Sequence, residues 1–239
     1  MKKTIIIFLL LISGLFMAGC AKEQGKSAPP SRAAVAKTIT IGVMPDVESI
    51  PFIIAEKNGY FKKEGVTVRL VHFKSARDRD SALQSGELDG VITDVLAVAF
   101  ANEGGFKLKI TSKNDGNIEL MAGKDSGIKS IRDLKGKSVG ISPNTIMEYT
   151  ADRMLESDKV KPEEIKKQLI PALPARYEML QNGKIDAAIL PEPLAGLAVK
   201  NGAIVLNSTD QMKNKAGAIA FTVKSIQENP QEIKAIYRA

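Results

Sequence analysis

Polar side chains cluster at four points where a predicted strand is followed by a predicted helix. In open α/β sheets, ligands bind beyond the carboxyl ends of the strands, where free N–H groups at helix N-termini attract anions. These four segments are therefore the candidate binding site of the chain. The candidate ligand-binding residues in them are Asp46, Glu48, Ser49, Ser75, Arg77, Thr93, Asp94, Ser142, Asn144 and Thr145.

The segment from Lys74 to Asp80 has the side chains best suited to an anion. Ser75 can offer a hydroxyl, and Arg77 can offer a bidentate guanidinium to a carboxylate, sulfonate or phosphate group. An alternative role for Arg77 is ion pairing on the surface with a neighbouring aspartate. The polar residues of the segment 142–145 are equally suited to capping the helix that follows, so both roles stay open for them.

Carboxylates are also expected near the same cleft. Asp46 and Glu48 follow the first strand, and Asp94 either caps a helix or recognises a cationic or hydrogen-bond-donating group of a ligand. Glu192, held between two prolines at another strand end, either contacts a ligand or has a hinge or lobe-contact role. These residues make a purely anionic ligand less certain than Arg77 alone would suggest.

The sequence lacks the residue sets of common enzymes. It has one histidine, His72, and one cysteine, Cys20. His72 lies in a predicted strand, where a core role is favoured over catalysis. No Ser-His-Asp set can be assembled without it, and there is no histidine pair, cysteine cluster or glycine-rich phosphate loop. We therefore predict no catalytic residue, no metal site and no cofactor.

The charge of the chain gives only a weak indication of its partners. The formal net charge is +7, and the basic residues are dispersed along the sequence. No aromatic residues interleave with them as a nucleic-acid groove would need, so we predict no nucleic-acid partner. The mild basicity fits a solvated surface, an anionic ligand or a membrane surface.

The elements that must position these side chains are alternating strands and helices. The pattern begins with the strand "TITIGV", residues 38–43, and starts again from Ile118. Such alternation favours a parallel sheet covered on both faces, and its restart favours two lobes. A near-repeat supports this division, because "ALQSGELDGVITD" at 82–94 and "MLQNGKIDAAILP" at 179–191 both predict a helix, a glycine cap and a buried strand.

Both ends of the chain carry signals of their own. Lys2 and Lys3 precede an apolar run, and Ala18-Gly19-Cys20 resembles the lipobox of bacterial lipoproteins. We predict a signal peptide at 1–19, lipidation of Cys20 and a flexible tether at 20–37. The last predicted helix reaches the final residue without a stop signal, from which we expect a longer natural protein.

Four segments, taken in order, resemble one protein family. They are "IGVMPDVESIPFIIAEKNGYFKKEGVTVRLVHF", "ALQSGELDGVITD", "IKSIRDLKGKSVGIS" and "MLQNGKIDAAILPEPLA". In this order they resemble the solute-binding lipoproteins of ABC importers, in the branch that takes nitrate, sulfonates, taurine and thiamine-pyrimidine precursors. The resemblance implies the type II periplasmic-binding fold, with two α/β lobes, each a mainly parallel sheet flanked by helices, hinged by two crossing strands. The implied lobe I is 38–118 plus 222–239, and the implied lobe II is 119–221.

The resemblance also implies a function. The protein would be the extracytoplasmic, membrane-anchored and monomeric component that captures a small polar solute, expected to be anionic, between its lobes. It would deliver this solute to an ABC permease in the membrane. One alternative is a clamp-fold enzyme related to menaquinone-pathway dehydratases or pyrimidine synthases. A second alternative is a surface lipoprotein without a role in transport.

Overall fold

The strands of the protein form two separate sheets. The computed structural model describes residues 37–213 and 215–239, and the predicted signal peptide, Cys20 and most of the predicted tether lie outside these ranges. The strands in the described ranges are β1 (Ile39–Val43), β2 (Val68–His72), β3 (Gly90–Asp94), β4 (Leu108–Lys113), β5 (Ile118–Ala122), β6 (Ser138–Ile141), β7 (Lys166–Leu169), β8 (Ala187–Pro191), β9 (Ile204–Ser208) and β10 (Gly217–Thr222).

The α-helices connect and cover these strands. They are α1 (Ile50–Lys57), α2 (Tyr60–Lys63), α3 (Ala76–Gln84), α4 (Val95–Glu103), α5 (Ile146–Ser157), α6 (Leu173–Gln181), α7 (Leu194–Lys200), α8 (Val223–Glu228) and α9 (Pro230–Arg238). None of the helices in the described ranges has both the length and the apolar content of a membrane span.

The first sheet has the strand order β2-β1-β3-β10-β4. Its strands β2, β1 and β3 are parallel, and β10 runs antiparallel to both of its neighbours. Ile39, Ile41 and Phe221 pack in a core on one face, and Val91 and Ala220 belong to a core on the other. Central strands buried on both faces are typical of sheets with helices on each side.

The second sheet repeats this arrangement with the order β7-β6-β8-β5-β9. Here β7, β6 and β8 are parallel, and β5 is the antiparallel strand. Leu120, Ile141 and Ile189 lie in a core against α5, while Met121 and Leu190 lie in a core against α6 and α7. The prediction of an α/β fold with two lobes is therefore confirmed.

The chain passes between the sheets twice, through residues 114–117 and 209–216. We call residues 37–113 and 217–239 the first lobe, and residues 118–208 the second lobe. The chain enters the first sheet again at Gly217, ahead of the boundary at 222 expected from the sequence. The expected boundary cuts through β10, whose ladder with β3 and β4 begins before it.

The near-repeat forms the same unit in both lobes, α3 with β3 and α6 with β8. Each helix carries a buried arginine that reaches the following strand. Arg79 donates from Nη1 to the carbonyl of Ile92 at 2.9 Å, and Arg176 donates from Nη1 to the carbonyl of Ile189 at 2.7 Å. The repeat thus places a buried guanidinium in the same position of each lobe.

Candidate functional site

A cavity of about 60 Å³ lies between the lobes, at the carboxyl ends of β1, β3, β6 and β8. Two backbone hydrogen bonds join the lobes beside it, from Val47 N to Glu192 O at 2.8 Å and from Leu173 N to Lys74 O at 2.9 Å. The first lobe lines the cavity with Met44, Asp46, Glu48, Ala76, Arg79, Ile92, Thr93, Asp94 and Gly217; the second lobe lines it with Ile118, Ser142, Thr145, Ile146, Met147, Thr150, Pro171, Leu173 and Pro191.

Asp46 is held in the cavity wall by a buried serine. Its Oδ1 accepts hydrogen bonds from Ser49 N at 3.0 Å and from Ser49 Oγ at 2.6 Å. Ser49 Oγ in turn accepts a bond from Met44 N at 3.1 Å. Burial raises the pKa of Asp46, against the effect of these hydrogen bonds and of the Arg79 guanidinium. Ser49 itself does not line the cavity, so its role is to position Asp46.

Glu48 lies against the first crossing segment. Burial raises its pKa to about 7, with a further contribution from the negative charge of Asp46. A Cβ atom on residue 116 would overlap the Glu48 carboxylate, so Gly116 leaves the space that this side chain occupies. The crossing segment therefore requires glycine here because of a close approach and not because of a turn.

Asp94 ends β3 and begins α4. Its Oδ1 accepts a hydrogen bond from Ala97 N at 2.8 Å, which makes it the N-cap of this helix. The side chain is buried beside the cavity, and burial raises its pKa while Arg79 lowers it. The neighbouring Thr93 is also buried and lines the cavity. Asp94 thus combines the capping role with a place at the site.

Arg79 is a cavity residue that the sequence analysis missed. It is 3% exposed, and its Nε donates to Asp80 Oδ1 at 2.8 Å. Its Nη2 lies 2.8 Å from the same oxygen, in a geometry that forms no hydrogen bond. A helical period counted from Ala76 would have found it, because Arg79, Ala82 and Leu83 share the buried face of α3.

The predicted pair Ser75 and Arg77 lies outside the cavity. Helix α3 begins at Ala76, where Ser75 Oγ accepts a hydrogen bond from Asp78 N at 3.2 Å. Ser75 is buried as this N-cap, and Arg77 in the first helical turn is exposed. Arg79, two positions further along the helix, occupies the place expected for Arg77.

In the second lobe, Ser142 and Thr145 line the cavity and also shape the start of α5. Thr145 Oγ1 accepts from Met147 N at 3.2 Å and donates to Ser142 O at 2.8 Å. Ser142 Oγ donates to Pro171 O at 3.3 Å. Asn144 is exposed, with a left-handed backbone conformation of φ 57°, and lines a neighbouring groove instead of the cavity.

Glu192 contributes its backbone rather than its carboxylate. Its carbonyl is the acceptor of the interlobe bond from Val47, and its Oε2 accepts from Gly196 N at 3.0 Å in α7. The side chain does not line the cavity. Of the roles left open by the sequence, this geometry supports a lobe contact.

The neighbouring groove continues the cavity between α3 and α4. It has a volume of about 220 Å³ and shares Arg79, Asp94 and Thr145 with the cavity. Its outer part is lined by apolar side chains such as Leu96 and Phe100. Within residues 37–213 and 215–239, no group of three or more His, Cys, Asp or Glu side chains is arranged to hold a metal ion.

A comparison with protein-family models matches residues 46–239 to the family described as "NMT1/THI5 like". The match covers most of the chain, including every residue of the cavity except Met44. The chain belongs to this family.

Curated relatives of this NMT1/THI5-like protein are binding proteins by name. A putative ABC transporter periplasmic binding protein of Brachyspira hyodysenteriae is 26% identical over 98% of this chain and 76% of its own length. A putative aliphatic sulfonates-binding protein of Bacillus subtilis is 25% identical over 98% of this chain and 70% of its own length.

Solved structures place the NMT1/THI5-like chain in the periplasmic-binding fold. The alkanesulfonate-binding protein of Xanthomonas axonopodis pv. citri, bound to MOPS, matches with a TM-score of 0.71 at 16% identity, over 86% of this chain and 74% of its own. The nitrate-binding protein of Synechocystis PCC 6803 matches with a TM-score of 0.72 at 16% identity, over 84% of this chain and 60% of its own. The predicted family resemblance and fold are confirmed.

Proposed function

We propose that this protein is the extracytoplasmic solute-binding component of an ABC importer. The observation that carries the proposal is the cavity between the lobes, where side chains from both sheets meet at the carboxyl ends of their strands. Clefts in this position are the ligand sites of open α/β sheets. Relatives named as periplasmic binding proteins of ABC transporters support the same function.

The solute is small and polar, and it carries an acidic group. The names of the relatives, which refer to sulfonates and nitrate, support an anion. The second-lobe wall suits one, because it lies at the N-terminus of α5 and has no carboxylate among its described lining residues. Unpaired N–H groups and the helix dipole favour negative charge at such a position.

Thermal denaturation tests this function. Nitrate and a set of short aliphatic sulfonates are expected to raise the midpoint with increasing concentration, because a ligand that binds only the folded state stabilises it. No rise with any of these anions would count against an anion-binding cleft. Turnover of a bound compound, followed by mass spectrometry, would favour the clamp-fold enzyme instead.

Two matched threonine variants separate an effect on anion binding from an effect on stability. Thr145 caps α5 at the cavity, and Thr222 caps α8 away from it, accepting a hydrogen bond from Ser225 N at 3.0 Å. Thr145→Val and Thr222→Val each remove one cap and are expected to cost about 1 kcal/mol of unfolding free energy. Only Thr145→Val is expected to weaken the binding of the anion, measured by calorimetry. Equal affinities of the two variants would remove Thr145 from the site.

We further propose that the protein acts outside the cytoplasm as a lipid-anchored monomer that serves a membrane permease. The support is the lipobox-like sequence that ends at Cys20. Fractionation of cells that express wild type or Cys20→Ser tests the anchor. Release of the variant from the membrane fraction is expected, and equal retention of both would contradict it.

A further inference from the structure

The first-lobe wall of the cavity holds three carboxyl groups, which in their ionised form would repel an acidic solute. Asp46, Glu48 and Asp94 line the cavity, and Arg79 is the one basic residue among its described lining residues. Both Nε and Nη2 of Arg79 lie 2.8 Å from Asp80 Oδ1, so a carboxylate already compensates this guanidinium. Like charges brought together in a buried site repel strongly, so an acidic solute is favoured only if this wall loses negative charge.

Asp46 and Asp94 have hydrogen-bond donors that favour their ionised forms. Oδ1 of Asp46 accepts from Ser49 N at 3.0 Å and from Ser49 Oγ at 2.6 Å, and Oδ1 of Asp94 accepts from Ala97 N at 2.8 Å. Hydrogen bonds donated to a carboxylate stabilise its charged form. Both side chains are also fixed as caps of the helical turns that follow them. They are therefore the two carboxyl groups less suited to hold a proton.

Glu48 has a different environment. Its Oε2 is buried without a hydrogen-bond partner among residues 37–213 and 215–239, although the residue lines the cavity. Its Oε1 lies so close to the first crossing segment that a Cβ on Gly116 would overlap it. An ionised carboxylate without a partner is costly in such a place, whereas a neutral carboxyl brings an O–H donor of its own. The packing around Glu48 thus favours its protonated form.

Charged groups on the neighbouring elements act on Glu48 in both directions. The carboxylates of Asp46, on the same turn, and of Asp94, at the start of α4, favour the neutral acid, and Lys215 on the second crossing segment favours the charged form. Burial is the largest effect, and together these effects raise the pKa of Glu48 to about 7.

Lys215 lies near Glu48 but is held by other acceptors. Its Nζ pairs with Asp210 and donates to the carbonyls of Asp115 at 3.0 Å and Gly116 at 3.3 Å. These contacts keep the ammonium on the backbone of the first crossing segment. On its outer side, Glu48 borders a groove that is also lined by Lys113 and Tyr237 and by the carboxyl-terminal residue Ala239.

We propose that Glu48 binds the solute as a neutral acid and donates its O–H to the acidic group of the solute, an inference that rests on the proposed function. The proton comes from the solvent and stays on Glu48 in the complex, so no bond of the solute changes. The second-lobe wall, at the N-terminus of α5, faces the solute from the other lobe. A carboxyl in its neutral form thus turns part of an acidic wall into a donor for an anion.

This role gives anion binding a pH dependence of definite sign. With a pKa of about 7, Glu48 is mostly neutral at pH 6 and mostly ionised at pH 8 in the solute-free protein. If only the neutral form binds, the apparent Kd is divided by the neutral fraction and rises about tenfold from pH 6 to pH 8. Nitrate and ethanesulfonate do not titrate in this range, so a change in their affinity belongs to the protein.

Calorimetry on the full chain with nitrate and ethanesulfonate tests the proposal. Titrations at pH 6, 7 and 8 are each made in two buffers with different heats of ionisation, since the difference between the measured enthalpies counts the protons that binding takes up. Uptake of nearly one proton for each anion is expected at pH 8 and almost none at pH 6. The about tenfold change in Kd is expected in the same titrations.

Three variants assign the proton to Glu48. Glu48→Gln keeps an N–H donor but cannot titrate, so it is expected to lose the proton uptake and to bind more tightly than wild type at pH 8. Glu48→Met lacks a donor and is expected to bind about tenfold or more weakly than Glu48→Gln at every pH. Glu103→Gln is the matched control, because Glu103 is exposed at the end of α4 and is expected to keep the pH dependence of wild type.

The outcomes separate this inference from the proposed function. Equal affinity at pH 6 and pH 8, with no proton uptake, would overturn the neutral acid and leave an anion-binding cleft intact. Proton uptake that persists in Glu48→Gln would place the proton on another group, such as Asp46 or Asp94, and would overturn the role of Glu48. Absence of binding by both anions at every pH would count against the proposed function and this inference together.

Discussion

The two lobes place a buried arginine at the same position and use it differently. Arg176 is fully buried, and it donates to the carbonyls of Ile170 at 2.9 Å, Ile189 at 2.7 Å and Pro171 at 3.3 Å. Arg79 bonds a single carbonyl, and its Nε and Nη2 both lie 2.8 Å from Asp80 Oδ1, beside the cavity. One structural position can therefore hold a lobe together or serve a binding site, depending on the acceptors around it.

The largest expected difference between the lobes follows from replacing these two arginines. Arg176→Met removes three hydrogen bonds to backbone carbonyls and is expected to lower the unfolding free energy by about 3–5 kcal/mol. Arg79→Met is expected to cost about 1–3 kcal/mol but to abolish measurable solute binding. Chemical denaturation and calorimetry measure the two quantities. Equal destabilisation by both variants, with binding retained in Arg79→Met, would remove the distinction.

A pair of glycines sharpens the comparison. A Cβ on Gly42 would lie 2.8 Å from Leu88 Cδ1 and 3.2 Å from Arg79 Cγ, and a Cβ on Gly140 would lie 2.7 Å from Ile185 Cδ1 and 3.0 Å from Arg176 Cγ. Replacing either glycine by alanine is expected to cost about 1–3 kcal/mol through overpacking.

Only the replacement of the first-lobe glycine, Gly42, is expected to weaken binding of the solute. Gly42→Ala displaces Arg79, which lines the cavity. Gly140→Ala displaces Arg176, which does not line the cavity. Titration of both variants with the same ligand measures this difference. Weaker binding by Gly140→Ala than by Gly42→Ala would show that strain in the second lobe, and not the position of Arg79, governs affinity.

The last expected difference between the lobes is a pH dependence of opposite sign. Burial raises the pKa of Glu48 from 4.5 to about 7, so the folded state holds this proton more tightly than the unfolded chain does. The contribution of Glu48 to the unfolding free energy is therefore full below about pH 4.5 and is lost as the pH rises through about 7. Glu48→Gln is expected to be more stable than wild type at pH 8, by roughly 1–3 kcal/mol.

Asp186 in the second lobe is the counterpart. Hydrogen bonds from Ser138 Oγ at 2.6 Å and Ser138 N at 2.8 Å lower the pKa of Asp186 below its usual 3.8. The contribution of Asp186 to the unfolding free energy is present above the usual pKa of 3.8 and is lost as the pH falls through the lowered pKa. Asp186→Asn is therefore expected to be less stable than wild type at pH 8. Denaturation curves at pH 4, 6 and 8 would contradict this comparison if both variants changed in the same direction.

Most of the fold could be predicted from the sequence, because hydrophobic patterns indicate which faces of the strands and helices are buried. The alternation of strands and helices and the near-repeat predicted both lobes, and the strand ends predicted where polar side chains would meet. Asp46, Glu48, Thr93, Asp94, Ser142 and Thr145 do line one cavity. These residues lie at the end of a strand or in the loop that follows it, so the place of each can be predicted from its strand.

The parts of the site that the sequence did not predict depend on which face of α3 is buried and on contacts between residues far apart in the chain. Arg77 was chosen because a helix was expected to begin beside it, but the cap at Ser75 leaves Arg77 exposed and puts Arg79 on the buried face of α3. His72, for which a core role was favoured, is exposed in β2 at the edge of the first sheet. The contact between Glu48 and Gly116 joins residues far apart in the chain, and local patterns do not report such contacts.

The late position of β10 in the chain affects the order in which the two lobes can fold. The second sheet is built from one continuous stretch of chain, residues 118–208. In the first sheet, β4 pairs only with β10, which follows the entire second lobe. During synthesis from the N-terminus, the second sheet can therefore form before β10, the neighbour of β4, has been made. Because the last contacts to form span the greatest separation in sequence, closing the first lobe is expected to limit the rate of folding.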